Sequence, residues 1–104
     1  MADVKKALSM IGLCKKAGRL VSGVPIVCDA LRDGKVLLVV YAAGAAENSV
    51  KRVTDKAKSY ETAALPLDVL PEELGHSIGK SGAVAAVGIT DRGFAEAIKK
   101  IIGD

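Results

Sequence analysis

The sequence is poor in aromatic side chains: it has no tryptophan, one phenylalanine and two tyrosines among 104 residues, although half of the residues are hydrophobic. A core of this composition must be built from valine, isoleucine, leucine and alanine. The length suits one domain, residues 1–104, with a core of useful size, and is too short for two.

Long apolar runs are also missing. No stretch approaches the roughly 18 to 20 residues that a membrane-spanning helix requires. We expect no cleavable signal in the first ten residues, "MADVKKALSM", because Lys5 and Lys6 interrupt the apolar positions. We therefore expect no membrane partner and a cytoplasmic location.

Residues that carry catalysis or bind metals are few. His76 is the single histidine, and Cys14 and Cys28 are too far apart in sequence for a metal knuckle or a CxxC redox pair. Glu72 and Glu73 are adjacent, so they point to different sides of a helix and make a poor acid–base pair. "GKSG" lacks the spacing of a phosphate-binding P-loop. We predict two buried free thiols, no catalytic residue, no metal site, no cofactor and no enzymatic activity.

The positive charge is concentrated in the first half of the chain. The net charge is +3, but residues 1–52 hold nine Lys and Arg against four Asp and Glu, whereas residues 53–104 hold six against eight. A polyanionic partner, if the protein has one, should therefore bind through the first half.

Helical and strand patterns alternate along the chain. Apolar residues at helical spacing and cap residues predict helices over 3–17, "GVPIVCDALRDG", 48–60, "PEELGHSI" and "TDRGFAEAIKKIIG". Apolar β-rich runs predict strands in "RLVS", "KVLLVVYAA", "AALPL" and "AVAAVGI". Doubly covered strands between helices predict an α/β fold, a three-layer α/β/α sandwich around a small mixed four-stranded sheet.

Two helices carry specific expectations about which residues face the core. In the second helix the inward residues should be Ile26, Val27, Ala30 and Leu31. In the third they should be Val50, Val53, Ala57 and Tyr60. The cations of the third helix should face outward, either as a solvated surface or as an extension of a nucleic-acid footprint: Lys51, Arg52, Lys56 and Lys58.

The stretch "KKAGRLVSG" (15–23) places Lys15, Lys16 and Arg19 between two helices. Basic residues at a helix C-terminus complement its dipole, and Gly18 suits the helix stop. However, Lys15 also continues the apolar stripe of the first helix, and Gly23 precedes the second. Cationic side chains beside the open amides of Gly23 and Val24 are typical of a phosphate-binding site. Both interpretations are open from the residues alone.

The order of motifs resembles the ribosomal protein L7Ae kink-turn RNA-binding family, and in particular its bacterial YlxQ-like branch. The resemblance covers essentially the whole chain. It is carried by "GLCKKAGRLVSG", "IVCDALRDGKVLLVVYAAGAAENSVKRVTDK" and "LPEELGHSIGKSGAVAAVGITDRGFAEAI". It implies an αβα sandwich that binds structured RNA, often a sharply kinked duplex and often within ribosomes or ribonucleoproteins.

The resemblance also implies where RNA binds. In the family, the strand end and glycine before the second helix, with the first turn of that helix, enter the RNA, and the loop after the short fourth helix packs on extruded bases. With the cations of 15–19, the implied RNA-binding residues are Lys15, Lys16, Arg19, Ser22, Gly23, Val24, Pro25, Ile26, Gly79, Lys80, Ser81, Gly82 and Ala83.

The sequence departs from the family at the base-reading positions. Kink-turn readers usually show Gly-x-Asn-Glu with a lysine three residues later, whereas this chain has Pro25, Ile26 and Asp29 there. Asn and Glu hydrogen-bond base edges and Lys neutralises phosphate; Pro and Ile offer neither, and Asp repels phosphate. We therefore expect binding of structured RNA by phosphate contacts and shape. We also expect the protein to be a monomer. The alternative is a protein-interaction module that docks through exposed Val24, Pro25 and Ile26.

Overall fold

The computed structural model describes residues 3–103, which form five helices and four strands. The helices are α1 (Val4–Lys16), α2 (Val24–Arg32), α3 (Glu47–Ser59), α4 (Pro71–Ser77) and α5 (Arg92–Gly103), and the strands are β1 (Leu20–Ser22), β2 (Leu38–Ala42), β3 (Ala64–Leu67) and β4 (Ala86–Ile89). Within the described range, no helix has the length and apolarity needed to cross a membrane.

The four strands form one mixed sheet in the order β1-β4-β2-β3. β4 lies in the centre and runs antiparallel to both β1 and β2, whereas β3 pairs parallel to β2. Pro66 occupies β3, an edge strand, where its missing amide hydrogen is tolerated.

The sheet separates two aliphatic cores. One face packs against α1, α4 and α5, with Ile11, Val40 and Ile98 fully buried. The other face packs against α2 and α3 through Val27 and Val39, also fully buried. Because helices cover both faces, the α/β/α sandwich around a mixed four-stranded sheet predicted from the sequence is confirmed.

The first, second and fourth helices end in the same hydrogen-bond pattern. In α1 the amide of Gly18 donates to Lys15 and that of Arg19 donates to Cys14; α2 repeats this at Gly34 and Lys35, and α4 at Gly79 and Lys80. Each is a Schellman stop with a glycine in the left-handed region, followed by a cation. The expectation that Gly18 ends the first helix is confirmed.

Several predictions of helix ends and burial hold, whereas those for Ile26 and Tyr60 are wrong. The helix bounds agree to within one residue at the ends of α1 and α3, and both cysteines are buried free thiols. Ile26, expected in the core, is 55% exposed because it lies on the outer side of the first turn of α2. Tyr60 is 42% exposed because α3 ends at Ser59 and the tyrosine is only its C-cap.

Candidate nucleic-acid interface

The candidate interface lies at one end of the sheet, where β1 ends and β4 begins. These strands are antiparallel, with Ser22 paired to Val87, so the turn after β1 lies beside the segment before β4. The amide of Gly23 donates to the carbonyl oxygen of Ala86 at 3.0 Å. The fold therefore brings together residues 22–26 and the chain that follows α4, which are about 60 positions apart in the sequence.

Gly23 caps the start of α2 in a conformation that favours glycine. Its φ is 94°, its Cβ position faces open space, and its carbonyl oxygen accepts from Val27 at 2.9 Å. Because its amide is bonded to Ala86, the expectation of a free amide at Gly23 is wrong. The backbone amides of Val24 and Ile26 have no backbone acceptor within residues 3–103. Two amides at a helix N-terminus are therefore left without a backbone partner, as at helix starts that bind anions.

The side chains around this turn divide into buried and exposed. Ser22 and Val24 are only 7% and 8% exposed, so the earlier picture of Val24 as part of an exposed patch is wrong. Pro25 and Ile26 are exposed. Asp29 is also exposed, and its carboxylate lies 3.6 Å from Arg32, which partly offsets the negative charge next to the turn.

The second segment of the interface is the loop 79–83. All five of its residues are exposed, and its two ends are attached to α4. At one end the amide of Lys80 donates to Gly75; just past the other end the amide of Val84 donates to Pro71 at 2.9 Å. The carbonyl of Gly82 lies against Gly75, where a Cβ would overlap it. The loop thus presents small residues and one ammonium group on a fixed path.

The three cations of 15–19 are not gathered beside Gly23. Lys15 and Lys16 line a groove between α1 and α4 that reaches Gly79. Arg19 precedes β1, and three strand residues, roughly 10 Å of extended chain, separate it from Gly23. The single cationic seam expected from the sequence is therefore divided: Lys15 and Lys16 adjoin the loop 79–83, whereas Arg19 lies at the far end of β1.

The same end of the sheet holds a second helix start that sequence reasoning did not assign to the site. β2 is antiparallel to β4, so it ends here, with Ala42 donating to Ala85 at 2.8 Å. The helix α3 begins five residues later, at Glu47, without a side-chain cap. The positive ends of the α2 and α3 dipoles therefore both lie at this edge. That both helix starts lie at one end of the sheet follows from the strand order, which the sequence analysis did not predict.

The outer face of α3 continues away from this edge. As predicted, Lys51, Arg52, Lys56 and Lys58 are exposed. Lys51 pairs with Asp55 at 3.5 Å, one turn along the helix. The other three form no ion pair within residues 3–103.

The residues with nucleophilic or metal-binding chemistry lie apart from one another. Burial, with a smaller effect of the Asp91 carboxylate, raises the pKa of Cys14 to about 11, so its thiol stays protonated at neutral pH. His76 lies on the exposed side of α4 and lines the groove. Across residues 3–103, no group of three or more His, Cys, Asp or Glu side chains has an arrangement that would hold a metal ion.

Comparison with known proteins identifies relatives along nearly the full chain. The sequence model of the ribosomal protein L7Ae/L30e/S12e/Gadd45 family matches residues 5–99. RNA-binding protein YlxQ of Enterococcus faecium is 37% identical over 98 residues, which cover 94% of this chain and 92% of that protein. RNA-binding protein YlxQ of Bacillus subtilis is 33% identical over 93 residues, covering 89% and 91%.

Two solved structures share the fold. A protein of unknown function from Bacillus halodurans superimposes with a TM-score of 0.87 at 30% identity, covering 95% of this chain and 98% of its own. The 15.5kD RNA binding protein of Giardia lamblia superimposes with a TM-score of 0.77, covering 96% and 85%, and at 15% identity it shows similarity of fold alone.

Proposed function

The chain belongs to the ribosomal protein L7Ae/L30e/S12e/Gadd45 family, in its YlxQ-like branch, and from that membership we propose that it binds structured RNA at the end of the sheet where β1 ends and β4 begins. One observation carries the proposal. The hydrogen bond from Gly23 to Ala86 places the α2 N-terminus beside the chain that leaves the loop 79–83, so one RNA strand can contact both. The names of the relatives support RNA as the ligand.

The chemistry available at this surface favours contact with phosphate and with RNA shape. The open amides of Val24 and Ile26 and the ammonium of Lys80 are donors for phosphate oxygens. Lys15 and Lys16 line the same groove as Gly79 and would extend the positive surface. The exposed side chain of Ile26 offers an apolar contact to a splayed base or sugar.

The base-reading side chains of the family are replaced here, and the exposed positions lack hydrogen-bond donors. Pro25 and Ile26 present no polar side-chain atom, and Asp29 is an acid paired with Arg32. Each missing contact to a base edge removes about 1–3 kcal/mol of discrimination. We therefore propose that the protein distinguishes a standard kink-turn only weakly from other structured RNA.

Binding at this surface should depend strongly on salt. The test is the affinity for a kink-turn RNA and for the same strands closed into a continuous duplex, measured from roughly 50 to 200 mM salt. The proposal predicts that the affinity for both RNAs falls by roughly one log unit per log unit of salt for each phosphate contacted, with at most about a tenfold preference for the kink-turn. Absence of RNA binding, or an affinity independent of salt, would contradict it.

The wider setting proposed is a ribosome or another ribonucleoprotein in the cytoplasm, with a contribution to translation and no catalysis. The protein would act as a monomeric domain. Sedimentation of a cell extract tests this: the protein should move with ribosomal particles and leave them after ribonuclease treatment. Sedimentation with free proteins both before and after ribonuclease treatment would contradict the proposed association with ribosomal particles. RNA binding itself is tested separately by the affinity measurement.

A further inference from the structure

A cavity lies between α1 and α4, and three residues of the proposed RNA surface also line it: Lys15, Lys16 and Gly79. The two helices pack closely because Gly12 has no side chain: a Cβ there would lie 2.8 Å from the carbonyl oxygen of Ser77. The groove along this contact has a volume of about 940 Å³. Leu8, Leu13 and Ile78 supply its apolar lining.

Leu13 is exposed in a way that the fold does not require. It is 54% exposed although its neighbour Cys14 is fully buried. It lies one helical turn from both Ser9 and Lys16 on the groove side of α1. An exposed leucine that lines a concave surface favours contact with another molecule.

The two walls of the groove carry opposite charges that do not neutralise each other. The α1 wall has Lys5, Lys15 and Lys16, and the α4 wall has Glu72 and Glu73. Within residues 3–103 none of these three ammonium groups forms an ion pair. Glu73 also accepts the amide of Leu70 at 2.9 Å, which holds its carboxylate in place at the start of α4.

We propose that this groove docks an amphipathic helix from a partner protein, with carboxylates along the helix edge that faces α1 and cations along the edge that faces α4. An apolar stripe at positions i, i+3, i+4 and i+7 would lie on Leu8, Leu13 and Ile78. The opposite charges of the two walls set the direction in which the helix lies. An RNA strand fits the groove less well because Glu72 and Glu73 would repel its phosphates.

The proposal concerns a second partner beside RNA, although the groove and the proposed RNA surface share Lys15 and Lys16. Gly79 lines the groove and also begins the loop 79–83. A partner helix in the groove would therefore sit next to RNA held at the sheet end. Docking of the partner helix requires the apolar lining and both charged walls, whereas RNA binding requires the N-terminus of α2.

The test is a selection of displayed helical peptides of about 20 residues, roughly 30 Å long, against the full chain. Enriched peptides should share an apolar stripe with acidic residues on one flank and basic residues on the other. Their affinity should fall at least about tenfold for Leu13→Glu and for the double variant Lys15→Glu/Lys16→Glu. Leu37→Glu is the matched control, because Leu37 is 45% exposed but lies outside the groove. This variant should bind the peptides with the affinity of the native chain.

A charge exchange checks that the acidic flank of the peptide pairs with Lys15 and Lys16. Replacing the acidic flank of an enriched peptide by lysines should abolish binding to the native chain and restore it to Lys15→Glu/Lys16→Glu. The proposal is overturned if no peptide is enriched, if the enriched peptides show no charge bias, or if structured RNA crosslinks to Leu13 in place of peptide. Circular dichroism of each variant confirms that the fold is intact.

Discussion

The amide of Gly23 and the carbonyl oxygen of Ala86 are joined by a 3.0 Å hydrogen bond that connects the start of α2 to the start of β4. This bond places the exposed Ile26 and the loop 79–83 at one end of the sheet. It also removes the amide of Gly23 from the donors available to a ligand.

Restoring the base-reading side chains should restore kink-turn selectivity. In the triple variant Pro25→Asn/Ile26→Glu/Asp29→Lys, the preference for a kink-turn over a continuous duplex should rise by at least about tenfold, because each new base-edge contact adds about 1–3 kcal/mol. The control Pro25→Ala/Ile26→Ala/Asp29→Ala should gain no preference. Equal behaviour of the two triple variants in a gel-shift assay would show that α2 does not enter the RNA.

The loop 79–83 should depend on the absence of a side chain at Gly75. Gly75→Ala would force a Cβ into the carbonyl of Gly82, so the loop must move and the free energy of unfolding should fall by about 1–3 kcal/mol. The matched control is Gly82→Ala, whose Cβ would meet nothing within 4 Å and should change stability by no more than about 0.5 kcal/mol. Urea denaturation measures both, and equal stabilities would contradict the packing described.

Glu61 is the one non-glycine residue with a positive φ among residues 3–103, at 55°. It follows the C-cap of α3, its amide donates to Lys58, and that of Thr62 donates to Ala57, so it takes the place of a helix-ending glycine. Glu61→Gly should therefore raise the free energy of unfolding by about 0.5–1 kcal/mol. Glu61→Ala keeps the strained conformation and should give no such gain in thermal unfolding.

The buried thiol of Cys14 should make stability fall at alkaline pH. Its pKa is about 11 in the folded protein against 9.0 for a free thiol, so between these values the unfolded chain releases a proton that the folded chain keeps. Stability from this group is complete below pH 9.0 and is lost as the pH rises toward 11, by up to about 2 kcal/mol. In Cys14→Ala this component should be absent. Parallel denaturation curves at pH 8 and pH 10.5 for the native chain and the variant measure the difference, and an identical loss in both proteins would contradict it.

Asp91 should contribute to stability through its cap. Its side chain accepts the amide of Phe94 at 2.9 Å at the start of α5. Asp91→Ala should lower the free energy of unfolding by about 1 kcal/mol, whereas Asp91→Asn keeps an acceptor and should cost much less. Asp91→Asn should also lower the pKa of Cys14 slightly, because the carboxylate is the lesser of the two causes that raise it. A larger loss of stability in the asparagine variant would contradict the capping role.

The fold could be predicted from the sequence because its signals are local. Helical spacing around Ile11 and Ile98 and the apolar run at 36–42 define elements without reference to the rest of the chain. The errors fall at helix ends, where periodicity no longer applies: Ile26 lies in the first turn of α2 and Tyr60 follows the last residue of α3. At such positions the direction of the adjoining chain decides burial.

The candidate site was less predictable because it is assembled by strand order. The residues of the α2 start and of the loop 79–83 follow from the family resemblance, but the bond from Gly23 to Ala86 follows only from the β1–β4 pairing. The same pairing separates Arg19 from Gly23, although they are four positions apart in the sequence. Because Arg19 and Gly23 are close in sequence, one cationic patch was expected. In the structure they lie at opposite ends of the extended strand β1.

Lys80 and Lys35 provide the most direct comparison for RNA binding, because both follow a glycine that ends a helix and both are exposed, yet only Lys80 lies at the proposed surface. The measurement is ultraviolet crosslinking of cellular RNA to the native chain, to Lys80→Glu and to Lys35→Glu, each expressed at the same level. Lys80→Glu should recover several-fold less RNA than the native chain, and Lys35→Glu should recover about the same amount. Equal losses in the two variants, or a loss confined to Lys35→Glu, would show that RNA does not bind where β1 ends and β4 begins.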